Sequence, residues 1–207
     1  MPRSDAKVEV RPLAPDDWPA IERLFGPNGA CAGCWCMSWR LPSGGKLWKA
    51  NQGEPNRRAF RRLVESGTAR GVLAFAGGEP VGWCSVGPRE HFPKLERSRV
   101  LRYPAPPDGW VVSCFYIPAR WRGRGVGRAL LGAALDLARA EGASVLDGYP
   151  VNTHGKARPV TPVFAWTGVP ALFQAHGFTD VTPRTQERPV FRRVLAGAKR
   201  APRKRRP

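Results

Sequence analysis

Arg122-Gly123-Arg124-Gly125-Val126-Gly127 sits between an apolar run, Trp110 to Ile117, and a run with helical spacing, Arg128 to Glu141. A strand, a glycine-rich turn and a helix start together make an anion site. Glycine lets the backbone approach a ligand closely. The first N–H groups of a helix have no partner within it, and the helix dipole favours negative charge there. The two arginines of the turn add counter-charge. The stretch therefore predicts a phosphate-bearing ligand, and the glycine spacing restricts which one.

A Walker A loop requires Lys then Ser or Thr after its last glycine, and here Arg128-Ala129 follow. A dinucleotide fingerprint requires Gly-x-Gly-x-x-Gly, whereas these glycines fall at 123, 125 and 127. Asp147 stands about 20 residues on, where a ribose-binding acid would be, but the strand before the turn is mid-chain rather than at the head of a βαβ unit. The longer stretch Ile117-Pro118-Ala119-Arg120-Trp121-Arg122-Gly123-Arg124-Gly125 fits another pattern. It has an aliphatic strand residue, four spacers, Arg, two residues, Gly, one residue and Gly. This resembles the acyl-CoA signature of the GNAT superfamily of N-acyltransferases. The alternative is a glycine-rich surface turn, which the flanking strand and helix disfavour.

Outward from the turn, periodicity gives the remaining elements. Lys7 to Pro12 reads as a strand. Pro15-Asp16-Asp17 opens a helix through Phe25, stopped by Gly26-Pro27. Asn28 to Gly53 is irregular and rich in Cys, Trp, Gly and Pro. Pro55 to Ser66 reads as a basic amphipathic helix with Phe60, Leu63 and Val64 on one face. Gly71 to Phe75 and Val81 to Val86 form a hairpin about Gly77-Gly78. Pro88 to Gly109 is a long connection. Gly125 to Glu141 is a helix with Val126, Leu130, Ala133 and Leu137 in phase. Val145 to Tyr149 is a strand, Pro150 to Thr167 a loop, Pro170 to His176 a short helix, and Pro189 to Leu195 a last strand. A further strand is expected near Phe178 to Thr182.

The order β-α-α-β-β-β-α-β-α-β resembles the GNAT fold. The expected class is α/β (α+β mixed sheet), with six to seven strands flanked by about four helices. Residues 1–198 are expected to form one domain, with 28–53 as a Cys- and Trp-rich loop on the acceptor side. Cys34-Trp35-Cys36-Met37, Gly148-Tyr149-Pro150-Val151 and Phe173-Gln174-Ala175-His176-Gly177-Phe178 add to the likeness, which is to a bacterial branch of unassigned substrate.

Composition bounds the rest. The 207 residues are 42% hydrophobic, enough for a core, and no window has the apolar length of a membrane span. The first residues lack a signal-peptide apolar region. Five cysteines cannot pair completely, so a reducing, cytoplasmic setting is expected. The net charge is +18, and six positive charges fall within 199–207. That segment is expected to be disordered and dispensable for folding and chemistry. Nucleic acid is its alternative partner, though no zinc-finger or helix-turn-helix pattern accompanies it. Homodimerisation stays open.

The resemblance implies direct transfer of an acetyl group from acetyl-CoA to an amine. The backbone N–H of Phe115 or Tyr116 would face the thioester oxygen, and Ile117 would hold the pantetheine arm. The N–H groups of Arg122, Gly123, Arg124, Gly125, Val126, Gly127 and Arg128 would hold the pyrophosphate. Many family members place Tyr four residues before the Gly of the Gly-Phe pair, to protonate the leaving thiolate. This chain has Phe173 there, and Trp166 where Asn is common seven residues earlier. Tyr116, Tyr149 and His154 are candidate substitutes. Glu79, Glu90, His91 and Asp147 are candidate bases, and Tyr116 and Asp147 are the favoured catalytic pair. Cys31-x-x-Cys34-x-Cys36 invites zinc, with Cys84 or Cys114 as a fourth ligand. The second Cys-x-x-Cys of a zinc site is missing, and no metal is expected. Trp35, Trp39 and Trp48 form either an aromatic wall for the acceptor or a satellite core. The acceptor is a small-molecule or peptide amine. The alternatives are a protein N-terminus or lysine, a non-catalytic acyl-CoA sensor, or nucleic acid.

Overall fold

The computed structural model describes residues 7–42, 45–151 and 165–195. His154 and the basic segment 199–207 lie outside them. Seven strands form one sheet: β1 (Val8–Pro12), β2 (Gly71–Ala76), β3 (Glu79–Pro88), β4 (Trp110–Tyr116), β5 (Val145–Gly148), β6 (Thr179–Asp180) and β7 (Phe191–Val194), in the order β1-β2-β3-β4-β5-β7-β6. Only β4 and β5 run parallel; the other neighbours are antiparallel. Six α-helices accompany them: α1 (Trp18–Phe25), α2 (Gly45–Asn51), α3 (Glu54–Glu65), α4 (Lys94–Arg97), α5 (Val126–Ala140) and α6 (Pro170–Gln174). The two beyond the expected number, α2 and α4, are short. They lie within segments read from the sequence as irregular.

Alternation along the strands divides the core between two faces of the sheet. Val72, Ala74, Cys84 and Val112 face one way, against Val126, Leu130, Leu131 and Ala134 of α5. Leu73 and Trp83 face the other way, against Trp18, Ile21 and Phe25 of α1 and Phe60 and Val64 of α3. A third cluster joins Trp39, Phe92, Leu95, Val111, Tyr149 and Val190. α5 is amphipathic as expected, but its buried line runs through Val126, Leu130, Leu131, Ala134, Leu135 and Ala138, while Ala133 and Leu137 are only partly buried at its edge.

One irregularity positions the site. β4 and β5 pair over only three residues, Trp110↔Leu146, Val111↔Asp147 and Val112↔Gly148. β5 then ends at Gly148, and Pro150 lacks the N–H that continued pairing would need. β4 continues to Tyr116, still paired with β3. The sheet therefore opens beside Ser113 to Tyr116, and the glycine-rich turn follows directly.

Candidate active site

The turn after β4 is tied to the strand end. Arg122 Nε donates to the Ile117 carbonyl at 2.9 Å, and Trp121 N–H donates to the Pro118 carbonyl at 2.8 Å. Gly123 and Gly125 have φ of +71° and +78°, a left-handed conformation that residues with a Cβ adopt only under strain. A Cβ at either position would meet no atom within 4 Å, so the turn's outer side is open. α5 starts at Val126 with no side-chain cap, and its first backbone bond runs from Ala129 N–H to Gly125. The N–H groups of Val126, Gly127 and Arg128 precede that bond, as an anion site requires. Arg122, Arg124 and Arg128 are exposed along this stretch, with Arg124 over the Trp121 ring at 5.2 Å. A cleft of about 280 Å³ leads from this turn along the opening in the sheet, past Ile117, Leu172 and Trp166 to Phe115 and Tyr116.

At the end of the cleft the two expected amide donors separate. The Phe115 N–H donates to the Trp166 carbonyl at 2.6 Å, so it faces the opening. Alternation turns the Tyr116 N–H toward β3, where Tyr116 pairs with Trp83. Phe115 is thus the donor directed at the cleft, and Trp166 already occupies it.

A second cavity of about 270 Å³ continues from the first, and the two share Ala30, Cys31, Phe115, Tyr116 and Trp166. Phe25, Trp48, Trp83, Cys34, Cys36 and Cys114 complete its wall. The three tryptophans of the loop are placed differently. Trp35 packs against Trp18 and Phe25 in the core, with ring centroids 5.7 and 5.8 Å away. Trp39 is buried against Tyr149 at 5.4 Å. Trp48 lines the cavity. The loop is conformationally costly: Ala30, Ala32, Trp35 and Cys36 all have positive φ, each worth about 1–2 kcal/mol against a non-glycine residue.

Among the shifted thiols of this wall, Cys36 alone is lowered. The Trp83 indole N–H donates to its Sγ at 3.2 Å. Hydrogen bonding from Cys114 lowers the Cys36 thiol below the usual range despite burial, aided by the Arg40 charge and by Ser85 and Trp83. The same contact with Cys36, with burial, drives Cys114 well up. Burial pushes Cys34 up to about 12, Cys84 well up, and Tyr116 up. Arg40 is buried over the Phe92 ring, its guanidinium carbon 4.9 Å from the centroid, and its Nε and Nη2 have no hydrogen-bond partner. Burial lowers its pKa, and the Cys36 charge opposes this.

The other sequence candidates lie elsewhere. Asp147 corrects the expected catalytic pair. It is fully buried on β5, and its two oxygens accept from Arg192 Nε and Nη2, both at 2.7 Å. Arg89 Nη1 stands 3.9 Å away. Both carboxylate oxygens are engaged by a cation, and Asp147 lines neither cavity. Tyr116, by contrast, lines both. Tyr149 is buried in the third cluster, where its hydroxyl accepts from Arg89 at 2.9 Å, and burial pushes its pKa up to about 12. Glu79 is exposed on the hairpin beside Arg23, and Glu90 is exposed in an arginine- and proline-lined groove. His91, half-buried, has its pKa lowered by burial. Phe173 is fully buried with its ring among Phe115, Phe178 and Phe191. Among the described residues no group of three or more His, Cys, Asp or Glu is arranged to hold a metal ion. Likewise, no described helix is long and apolar enough to cross a membrane. Sequence reasoning missed Cys36 as an individual residue, because Trp83 and Cys114 reach it from other strands.

The sequence was also compared with known proteins. A family model described as "Acetyltransferase (GNAT) family" matches residues 36–155. No curated protein matches. Many solved structures do, at low identity, and these show the fold alone. An acetyltransferase matches with a TM-score of 0.58 and 19% identity over 90% of this chain and 98% of that one. An N-acetyltransferase from Staphylococcus aureus Mu50 matches at 0.53 and 15%, over 91% and 99%. A PaiA N-acetyltransferase from Thermoplasma acidophilum, solved in complex with coenzyme A, matches at 0.52 and 12%, over 91% and 99%. The family model covers more than half of the sequence and runs through the split between β4 and β5, the glycine-rich turn and α5, and the chain belongs to the GNAT acetyltransferase family.

Proposed function

We propose that the protein transfers an acetyl group from acetyl-CoA to a primary amine of a small molecule or peptide, by direct attack. The observation that carries this reading is the meeting of two cavities at Phe115 and Tyr116, one leading from the anion-binding turn and the other walled by aromatic rings and thiols. In this reading the N–H groups of the turn and of the first turn of α5, with Arg122, Arg124 and Arg128, hold the pyrophosphate. Backbone at Ile117 lies along the pantetheine path. The Phe115 N–H donates to the thioester oxygen as it gains negative charge, an interaction strongest in a site that excludes water. The leaving thiolate, whose thiol has an ordinary pKa of about 8.5, departs without a tyrosine acid.

The acceptor cavity is walled mainly by rings and thiols, with no carboxylate, lysine or arginine among the described residues that line it, and this supports an apolar or aromatic small amine. The five free cysteines support a reducing, cytoplasmic setting. Release of CoA thiol from acetyl-CoA, measured over a panel of aliphatic, aromatic and peptidyl amines, tests the reaction. Turnover with at least one amine class and micromolar to millimolar KM is expected. Calorimetric binding of acetyl-CoA without turnover of any amine would instead identify an acyl-CoA sensor.

A further inference from the structure

The reaction needs a group that removes a proton from the acceptor, because the amine enters as an ammonium and attacks only when neutral. Carboxylates and imidazoles are the usual bases, yet among the described residues none lines either cavity. The titratable side chains present are Tyr116, Arg122 and the thiols of Cys31, Cys34, Cys36 and Cys114. Arg122 is permanently charged. Tyr116, Cys34 and Cys114 are all shifted toward their protonated forms. Cys31 is exposed at the mouth.

Cys36 differs in geometry. Cys36 lines the acceptor cavity with Cys114, and its sulfur accepts the Trp83 N–H of β3 at 3.2 Å. Every element packed against it offers a donor or a neutral group: Trp83, Ser85 and the thiol of Cys84 on β3, Cys114 on β4, and Cys34 and Arg40 on its own loop. Arg40 is a buried guanidinium with two unpartnered nitrogens and, among the described residues, no carboxylate partner. A buried charge left without a counter-ion costs several kcal/mol. A negative sulfur at Cys36 is the counter-charge that the site offers. The backbone at Trp35 and Cys36 is left-handed, a strained conformation for both residues.

We propose that Cys36 is the base that takes the proton from the acceptor ammonium, with Arg40 as the positioning cation behind it. The proposal rests on the acetyltransferase reading above. The ammonium N–H bond breaks and its proton passes to the Cys36 sulfur, giving a neutral amine and a thiol. The amine lone pair forms the C–N bond at the thioester carbon, whose oxygen is held by the Phe115 N–H. Collapse breaks the C–S bond and the electron pair leaves on the CoA sulfur, which takes the second amine proton. Cys36 returns its proton to solvent through the cavity before the next cycle. No oxidant or metal enters the balance.

The test compares wild type with Cys36→Ser and Arg40→Met in three measurements: calorimetric acetyl-CoA affinity, kcat/KM against pH for an accepted amine, and ultraviolet thiolate absorbance against pH. Cys36→Ser keeps a hydroxyl to accept the Trp83 N–H, and unchanged acetyl-CoA affinity shows that it has folded. Its kcat/KM should fall about 10²–10⁴-fold, with the residual rate following only the amine's own deprotonation. Arg40→Met should move thiolate appearance and the acid limb of kcat/KM to higher pH together. Wild-type activity with Cys36→Ser within about threefold of it, well short of a general-base contribution, would overturn the proposal alone. So would stoichiometric acetyl label on Cys36 without acceptor, since Cys36 would then be a nucleophile. Wild type that turns over no amine would overturn the acetyltransferase reading itself. If Cys36→Ser does not fold, alkylation of wild type decides. Modification mapped to Cys36, slowed by acceptor amine and abolishing turnover but not acetyl-CoA binding, supports the base. Full activity after alkylation of Cys36 refutes it.

Discussion

Replacing Phe173 by tyrosine would restore the residue type that the family resemblance places four positions before Gly177, and the structure argues that it restores no function. The far end of the Phe173 ring lies between two backbone glycines. A Cβ at Gly148 would be 2.6 Å from the ring's Cζ, and one at Gly168 would be 3.4 Å from it. The surrounding side chains are the rings of Phe115, Phe178 and Phe191. A hydroxyl added at Cζ enters this apolar packing rather than the cleft, which Phe173 does not line. Burying it without a partner costs about 1–3 kcal/mol, and forcing an extra atom into a close-packed site costs about 1–3 kcal/mol more. A total near 4 kcal/mol lowers the melting temperature of a chain this size by about 8–16 °C. The assay is thermal unfolding by circular dichroism, with CoA release measured well below the transition. Phe173→Tyr should unfold earlier and turn over no faster. Undiminished stability with a raised kcat would refute the reasoning, because it would place the hydroxyl within reach of the leaving sulfur.

Three further outcomes follow from other sites. Gly125→Asp imposes a side chain on a left-handed residue and sets a carboxylate beside the anion-binding N–H groups, so acetyl-CoA affinity by calorimetry should drop at least about tenfold while the fold persists. Asp147→Asn leaves Arg192 and Arg89 facing a neutral group in a buried setting, so stability in urea should fall by about 3–5 kcal/mol, whereas kcat of the remaining folded protein should hold. Burial raises the Asp17 pKa, but the two bonds from Arg11 and the Ala14 N–H outweigh it and leave it lowered. The Arg11–Asp17 contribution is therefore complete above the ordinary aspartate range, near pH 4, and is lost as pH falls through the lower folded value. The stability gap between wild type and Asp17→Asn should narrow in that acid window and stay constant above it.

The parts of this molecule legible in the sequence are those whose signals are local. Leucine and alanine spacing gave α5 to within a residue at each end, and glycines at 123 and 125 marked the turn whose left-handed φ they supply. The Gly77-Gly78 hairpin and the alternating β2 and β3 followed from period and turn chemistry. α2 escaped because Gly45 at its start and Asn51 at its end read as loop residues over a seven-residue helix. α4, four residues long within an Arg- and Pro-rich stretch, has too little period to show. The site divided along the same line. The placement of Phe115, Ile117 and the turn along one cleft was legible because their proposed roles use backbone set by the strand. Asp147 was misassigned because its partner Arg192 is 45 residues away and meets it only through the β5–β7 register. Cys84 and Cys114 read as core thiols, and nothing local told that Cys114 and Trp83 converge on Cys36.

The bond from the Phe115 N–H to the Trp166 carbonyl bears on the order of events in a turnover. If the Phe115 N–H serves the thioester oxygen as proposed, it must first leave the Trp166 carbonyl, so seating the acyl group would move Trp166 aside. Trp166 also walls the second cavity and packs against Trp39, with ring centroids 6.0 Å apart. Its withdrawal reshapes the room left for the amine. In the proposed reaction, the acceptor's compartment would take its working shape only after the donor has arrived, a sequence of donor first and acceptor second. Initial-rate patterns would show it as compulsory-order kinetics, with CoA competing against acetyl-CoA and the acetylated amine leaving before CoA.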